Sequence, residues 1–284
     1  MKKGGSDFYI VRELVTRFID HNVTASGAQM AYFLLLMLFP FLMFLVAVLG
    51  FMEIPTDDAI YFLSNVAPKE VMQIISKYIE YILTDRQGDL LLVSAFASFW
   101  TASNALNALI NSVNQSYGIA ESRSYLKRKL LVIPFTLLVT LSISGALTIP
   151  VLGKGFLLWA SRYIRISFIL IEYLAYLRWL VALFTIFNVF TILYYITPNK
   201  KVSYGEIIPG AAFATMGWLL ISSVISLYFS SVRGYAVIYG SIGAVIILMI
   251  WLYWGAIILI LGGELNAILF EGRMFKQDKK SLFH

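Results

Sequence analysis

The sequence contains no cysteine and only two histidines, His21 and His284. The lack of thiols excludes a disulfide scaffold and a Cys-ligated zinc or iron–sulfur site, and two histidines leave little for a His-rich metal site. Charge is also scarce. Asp, Glu, Lys and Arg make up 13% of the 284 residues and hydrophobic residues 60%, against about 25% charged and about 45–50% apolar in an ordinary soluble domain. The mean hydropathy is +0.79, and the chain carries 21 Phe, 17 Tyr and 6 Trp. That is more apolar surface than a chain of this length can bury, so lipid must be its main solvent and a soluble enzyme is excluded. No HExxH, Walker loop, GxSxG or acidic metal-binding cluster appears in the apolar runs, so no catalytic residue, metal or cofactor is expected.

Uncharged runs of about 20 residues mark membrane-spanning helices. Six are present, over 30–52, 90–112, 131–152, 177–197, 207–229 and 242–263, with one charge among them, Arg178. The expected fold is all-α: one multi-pass membrane domain over residues 1–284, with six transmembrane helices and interfacial amphipathic helices. Lys and Arg alternate by side, fourteen on the side of both termini against seven, or eight with Arg178, on the other. The positive-inside rule therefore places both termini in the cytoplasm. The net charge of +6 is explained by this loop bias, and nucleic acid is not an expected partner. Lys2 and Lys3 lead into a charged amphipathic stretch instead of the short apolar core of a cleaved signal peptide.

Outside the spans, Val11, Leu14, Val15 and Phe18 recur at helical spacing, with Arg12, Glu13, Arg17 and Asp20 on other faces, the pattern of a helix lying on the membrane. Val71, Ile74, Ile75, Tyr78, Ile79 and Ile82 repeat it in the first outer loop. That loop holds seven acidic residues against three basic ones, which is read as a solvated face.

The second span carries Asn104, Asn107, Asn111 and Asn114 at intervals of 3, 4 and 3, so four amides share one helical face. An unpaired amide in hydrocarbon costs several kcal/mol, roughly, so the stripe must meet other helices or line a cavity. Its inner half, Glu264 and Asn266 at the end of the sixth span, Gln29 and Ser26 on the first, and Glu206 before the fifth all fall at one depth. This convergence points to a polar cavity facing the cytoplasm. Glu264 is its candidate charge-bearing group, able to take up a proton or cation. Its alternative roles are structural: ending the sixth span, pairing with Arg12 or Arg128, or packing through Gly262 and Gly263. Arg123, Lys127, Arg128, Lys129, Lys200 and Lys201 gather at the same mouth and would attract phosphate-bearing headgroups.

Several motifs carry a family likeness. They are Ser26-Gly27-Ala28 with Ala31-Tyr32 and Leu38-Phe39-Pro40, then Ala105-Leu106-Asn107, then Thr197-Pro198-Asn199 ahead of Gly210-Ala211. Last comes the stretch from Tyr239-Gly240-Ser241-Ile242-Gly243-Ala244 through Trp251-Leu252-Tyr253 to Gly263-Glu264-Leu265-Asn266-Ala267. Together they resemble the YihY/BrkB family of bacterial integral membrane proteins. The resemblance implies a six-helix protein of the bacterial cytoplasmic membrane with no common reaction. The ribonuclease label that some members have carried finds no acid/base or metal constellation here. Two functional expectations follow. One is a transporter or lipid translocase, acting on an ion, a small solute or a lipid-linked substrate and including an ion- or proton-coupled exchanger. The other is a non-catalytic scaffold for cell-envelope assembly.

Overall fold

The computed structural model describes residues 4–51, 88–131, 133–134, 168–231 and 235–281. Among them the longer elements are α-helices: α1 (Gly4–Asp20), α2 (Val23–Phe51), α3 (Gly88–Ser116), α4 (Tyr125–Leu130), α5 (Phe168–Ile196), α6 (Tyr204–Ser231) and α7 (Tyr235–Ser281). The described residues contain no strand. The protein is an all-α, multi-pass membrane protein. Three stretches are long and apolar enough to cross a bilayer, Val23–Phe44, Tyr204–Tyr228 and Val245–Gly272, and Leu183–Ile196 is a shorter apolar one. The predicted span over 131–152, apart from its first residues, lies outside the described residues, as does the predicted outer-loop helix.

The apolar runs over 30–52, 90–112, 177–197, 207–229 and 242–263 fall largely within α2, α3, α5, α6 and α7, and of these helices α2, α6 and α7 hold the stretches long and apolar enough to cross a bilayer. Every one of the five begins ahead of its run, and α3, α6 and α7 also continue beyond its end. At 1.5 Å per residue, the 47 residues of α7 extend for about 70 Å, more than twice the thickness of a hydrocarbon core of about 30 Å. Its last turns, with Arg273, Lys276, Lys279 and Lys280, are therefore helix beyond the span.

The chain divides into two compact units, one from 1–23, 109–220 and 258–284, the other from 24–108 and 221–257. In the first, the core is built from Leu109, Ile110 and Val113 of α3, Leu193 and Tyr194 of α5, Ile207, Ala211 and Ala214 of α6, and Ile260, Ala267 and Ile268 of α7. Here α6 and α7 touch backbone to backbone. A Cβ on Gly210 would collide with the carbonyl oxygen of Gly262, and one on Gly262 with the Tyr194 hydroxyl. The Tyr194 hydroxyl donates to the Leu259 carbonyl at 2.6 Å, which satisfies a phenol that is otherwise buried. Pro209 lies inside α6 with no N–H to donate, and next to it the Gly210 N–H donates to Asn266 Oδ1 at 2.6 Å.

In the second unit, Gly27 of α2 fits against Ile257, and the Trp251 indole donates to Ser222 at 3.0 Å. Ser94, Ser98 and Thr101 of α3 turn their hydroxyls back to carbonyls one turn earlier, so they need no partner across the unit.

Candidate functional site: a buried carboxylate and a loop clamp

α1 ends in a two-residue turn, His21–Asn22, in which Asn22 takes a left-handed conformation with φ of 50°, one that Asn tolerates better than most residues. This turn aims His21 at α7. Its Nδ1 lies 2.6 Å from Oε1 of Glu264, and the Glu264 side chain is fully buried. Two lone pairs cannot face each other at that distance, so a proton sits between the two atoms.

The second carboxylate oxygen, Oε2, has no hydrogen-bond partner; the nearest charge is Arg17 Nη1 at 3.9 Å. Arg17 is the hub of the cluster. It donates to Glu13 at 3.0 Å, to the Ser116 carbonyl at 3.1 Å and to Glu271 at 2.6 Å. Burial alone would weaken its charge, but the hydrogen bonds it donates to Glu271 and Glu13 and the charges of Glu271 and Glu264 outweigh it, holding the guanidinium pKa above its ordinary value. One guanidinium thus faces three carboxylates, so acidic groups outnumber the one fixed cation of the cluster.

A different clamp holds the loops. α3 ends at Ser116 and turns at Gly118, whose φ of 63° is left-handed, with the N–H groups of Gly118 and Ile119 closing on the Gln115 and Asn114 carbonyls at 2.9 Å each. Asn114 accepts the Asn199 N–H at 2.8 Å and donates to Glu121 at 2.8 Å. Arg123 binds Glu121 at 2.6 Å through Nη2 and spends other donors on the Ile196 and Thr197 carbonyls. The Arg123 hydrogen bonds draw the Glu121 carboxyl pKa down to about 2 against the opposing effect of burial. The Asn199 side chain completes the clamp on Ala120 and Ser122. Lys200 next to it caps two aromatic faces, 3.3 Å from the Phe270 ring centroid and 4.2 Å from that of Tyr117. Burial there lowers its pKa, with Glu206 and Glu271 opposing.

The residues singled out in the sequence fall into distinct environments. Asn114, Glu264 and Asn266 are buried, but each has its own partners. Asn114 holds the loop clamp, Asn266 holds the backbone of α6, and Glu264 meets His21. The basic partner of Glu264 is Arg17, with His21, instead of Arg12 or Arg128. Asn111 is exposed on the same helix. Asn104 and Asn107 are half-buried in the other unit, where Asn107 Oδ1 is a buried oxygen without a hydrogen-bond partner; Gln29, also in that unit, is exposed. Among the basic residues, Arg123 is engaged within the protein, Lys200 is stacked on rings, and Lys129 is buried with its Nζ 5.0 Å from the Tyr125 ring. Arg128 is half-buried, and Lys127 and Lys201 are exposed.

Sequence reading missed His21, Arg17, Glu271, Glu121 and Asn199. A signal for the first three exists: Glu13, Arg17 and His21 are spaced by four, and Glu264 and Glu271 by seven, so each set occupies one helical face. Separate from these groups, an apolar recess of about 750 Å³ lies between α5 and α6, lined by Leu183, Phe184, Phe187, Ala212 and Met216 among others. Among the described residues no group of three or more His, Cys, Asp or Glu is arranged to hold a metal ion.

The family model described as Virulence factor BrkB matches residues 14–282. The chain belongs to the BrkB family. It is 38% identical over 268 residues to the ribonuclease-like protein YfkH of Bacillus subtilis (strain 168), covering 94% of this chain and 98% of that protein. It is 24% identical over 266 residues to the UPF0761 membrane protein VV0203 of Vibrio vulnificus (strain YJ016), covering 92% and 82% of the two chains. No solved structure matches. The UPF0761 name denotes a membrane protein, and neither it nor the virulence-factor description states a catalytic activity; the ribonuclease-like name is that of YfkH.

Proposed function

We propose that this BrkB-family chain is a transporter of the bacterial cytoplasmic membrane, with six spans and both termini inside, and that Glu264 with His21 is its charge-carrying pair. The observation that carries the reading is the Glu264 carboxylate: fully buried, bonded through one oxygen to a partly exposed imidazole, with the other oxygen lacking a hydrogen bond. A buried ionisable group in a membrane helix is costly and is by default functional. His21 lies in the turn after α1, so it connects the carboxylate to the water on that side. In the proposed orientation that side is the cytoplasm, where the exposed Asn111, Lys127 and Lys201 of the same unit supply polar contacts for an ion, a small solute or a lipid headgroup. Asn107, whose buried Oδ1 has no hydrogen-bond partner, is a separate proposed contact.

The test is flux through purified protein in vesicles. Pyranine trapped inside reports protons, and dithionite quenching of a fluorescent phosphatidylglycerol reports lipid translocation. Wild type should accelerate one of the two, and Glu264→Gln and Asn107→Ala should abolish it while the protein remains folded. Equal flux through wild type and both variants would remove the site assignment.

A second reading is favoured by a specific observation. Asn114 and Asn266 are spent on the Asn199 and Gly210 backbone N–H groups, as expected of amides acting as glue in a scaffold for envelope-assembly proteins. Wild-type vesicles silent with both probes would favour that reading.

A further inference from the structure

α1 presents three flanks. Ile10, Leu14, Arg17 and Phe18 are half-buried against the protein. Arg12, Thr16 and Asp20 are exposed on the opposite side. Between them runs a stripe of large apolar side chains, Phe8, Val11, Val15 and Ile19, exposed by 73%, 60%, 58% and 67%. The sequence pattern had grouped Val11 and Val15 with Leu14 and Phe18 as one apolar face. In the structure that face splits in two, and only the half with Leu14 and Phe18 is covered by the protein.

We infer that the stripe of Phe8, Val11, Val15 and Ile19 docks into the headgroup–acyl boundary of the membrane leaflet on its side of the protein. Position supports this. Arg17 binds Glu271 at 2.6 Å, one residue from the end of the bilayer-crossing stretch Val245–Gly272, so the helix lies where that span leaves the hydrocarbon. Charge supports it as well: Arg12 borders the stripe, where anionic phosphates would lie, and Asp20 is on the far edge of the polar flank. Area argues against a second copy of the chain. Four side chains in single file over about 16 Å of helix fall short of the about 800 Å² per partner that a stable protein interface covers. The two adjoining flanks therefore join the lipid surface to the buried charge, because the helix that rests in the leaflet also brings Arg17 and His21 to Glu264.

The chain has no cysteine, so a single substitution gives a unique labelling site. Nitroxide labels on Val15→Cys, Ile19→Cys, Arg12→Cys and Thr16→Cys, in full-length protein reconstituted in phosphatidylethanolamine–phosphatidylglycerol vesicles, report collisions with oxygen and with a water-soluble nickel chelate. All four positions are exposed, and an unchanged thermal midpoint verifies folding. The expected result is an oxygen-to-nickel ratio severalfold higher at Val15 and Ile19 than at Arg12 and Thr16. A nickel-accessible Val15 would overturn the inference by placing the stripe in water. Labels shielded from both reagents would also overturn it, pointing to a second copy where spin–spin broadening appears and to another segment of this chain where it does not.

Discussion

His21 Nδ1 and Glu264 Oε1 are 243 residues apart in sequence and 2.6 Å apart in space, which ties the turn after α1 to the inner part of α7. The carboxylate is fully buried while the imidazole retains 24% of its side-chain exposure, so the pair spans the boundary between interior and solvent. Breaking a buried pair by removing one partner leaves the other without compensation.

His21→Ala is therefore expected to destabilise the protein by about 3–5 kcal/mol, while the double variant His21→Ala/Glu264→Gln recovers much of that loss. Thermal unfolding of the four proteins of the cycle in detergent measures the coupling. Additive effects would show that the pair does not act as a unit.

The contact between α6 and α7 depends on two missing side chains. Gly210→Ala places a Cβ against the Gly262 carbonyl and the Asn266 side chain, and overpacking of this kind costs about 1–3 kcal/mol. Gly272 provides the control. A Cβ there meets nothing within 4 Å, so Gly272→Ala is expected to gain up to about 1 kcal/mol from helix propensity. Opposite shifts in thermal midpoint would establish the contrast.

The loop clamp has a defined acid limit. Because the Glu121 carboxyl is held at about 2 in the folded protein against an ordinary value of 4.5, it contributes stability that is complete above pH 4.5 and is lost as the pH falls through about 2. The difference in stability between wild type and Glu121→Gln should therefore shrink over that interval. Amide exchange at Asn199, whose N–H is held by Asn114, should accelerate over the same range.

Lys200 has a dependence of the same sign at the alkaline end of the scale. Burial against Phe270 and Tyr117 lowers its pKa on folding, so the folded state gives up the proton first, and stability rises with pH across the alkaline interval between the folded and unfolded values. Lys200→Met keeps the aliphatic stem on the rings and has no such rise. It is expected to lie within about 1 kcal/mol of wild type at neutral pH, because the loss of the cation–π contact is offset by relief of desolvation. Unfolding curves at neutral and alkaline pH test both statements.

The spans were legible because lipid imposes long apolar runs, as in residues 207–229 within α6. Their ends were not. Val23–Gln29 is polar yet helical, and α7 continues for 18 residues past Gly263, since hydrogen bonding along a helix does not require apolar side chains. At the site, Glu264, Asn114 and Asn266 were conspicuous as polar groups in apolar surroundings, but hydropathy carries no information on partners. Gly210 and Ala211 stood out only as part of a family motif, and the structure gives Gly210 a partner within the same chain. The two faces that meet at His21 and Glu264 are each periodic. Their meeting depends on the turn at Asn22, which neither period encodes.

The crossing at Gly210 and Gly262 also has a mechanical consequence. Where two backbones touch, a slide of one helical turn, about 5.4 Å along the axis, would bring the next residue on the same face, Ala214 of α6 or Asn266 of α7, into a space that holds no Cβ. Around this crossing the two helices must travel as a single piece, a fixed fulcrum instead of a sliding seam. Whatever working cycle the protein performs, its displacements must be taken up elsewhere in the chain.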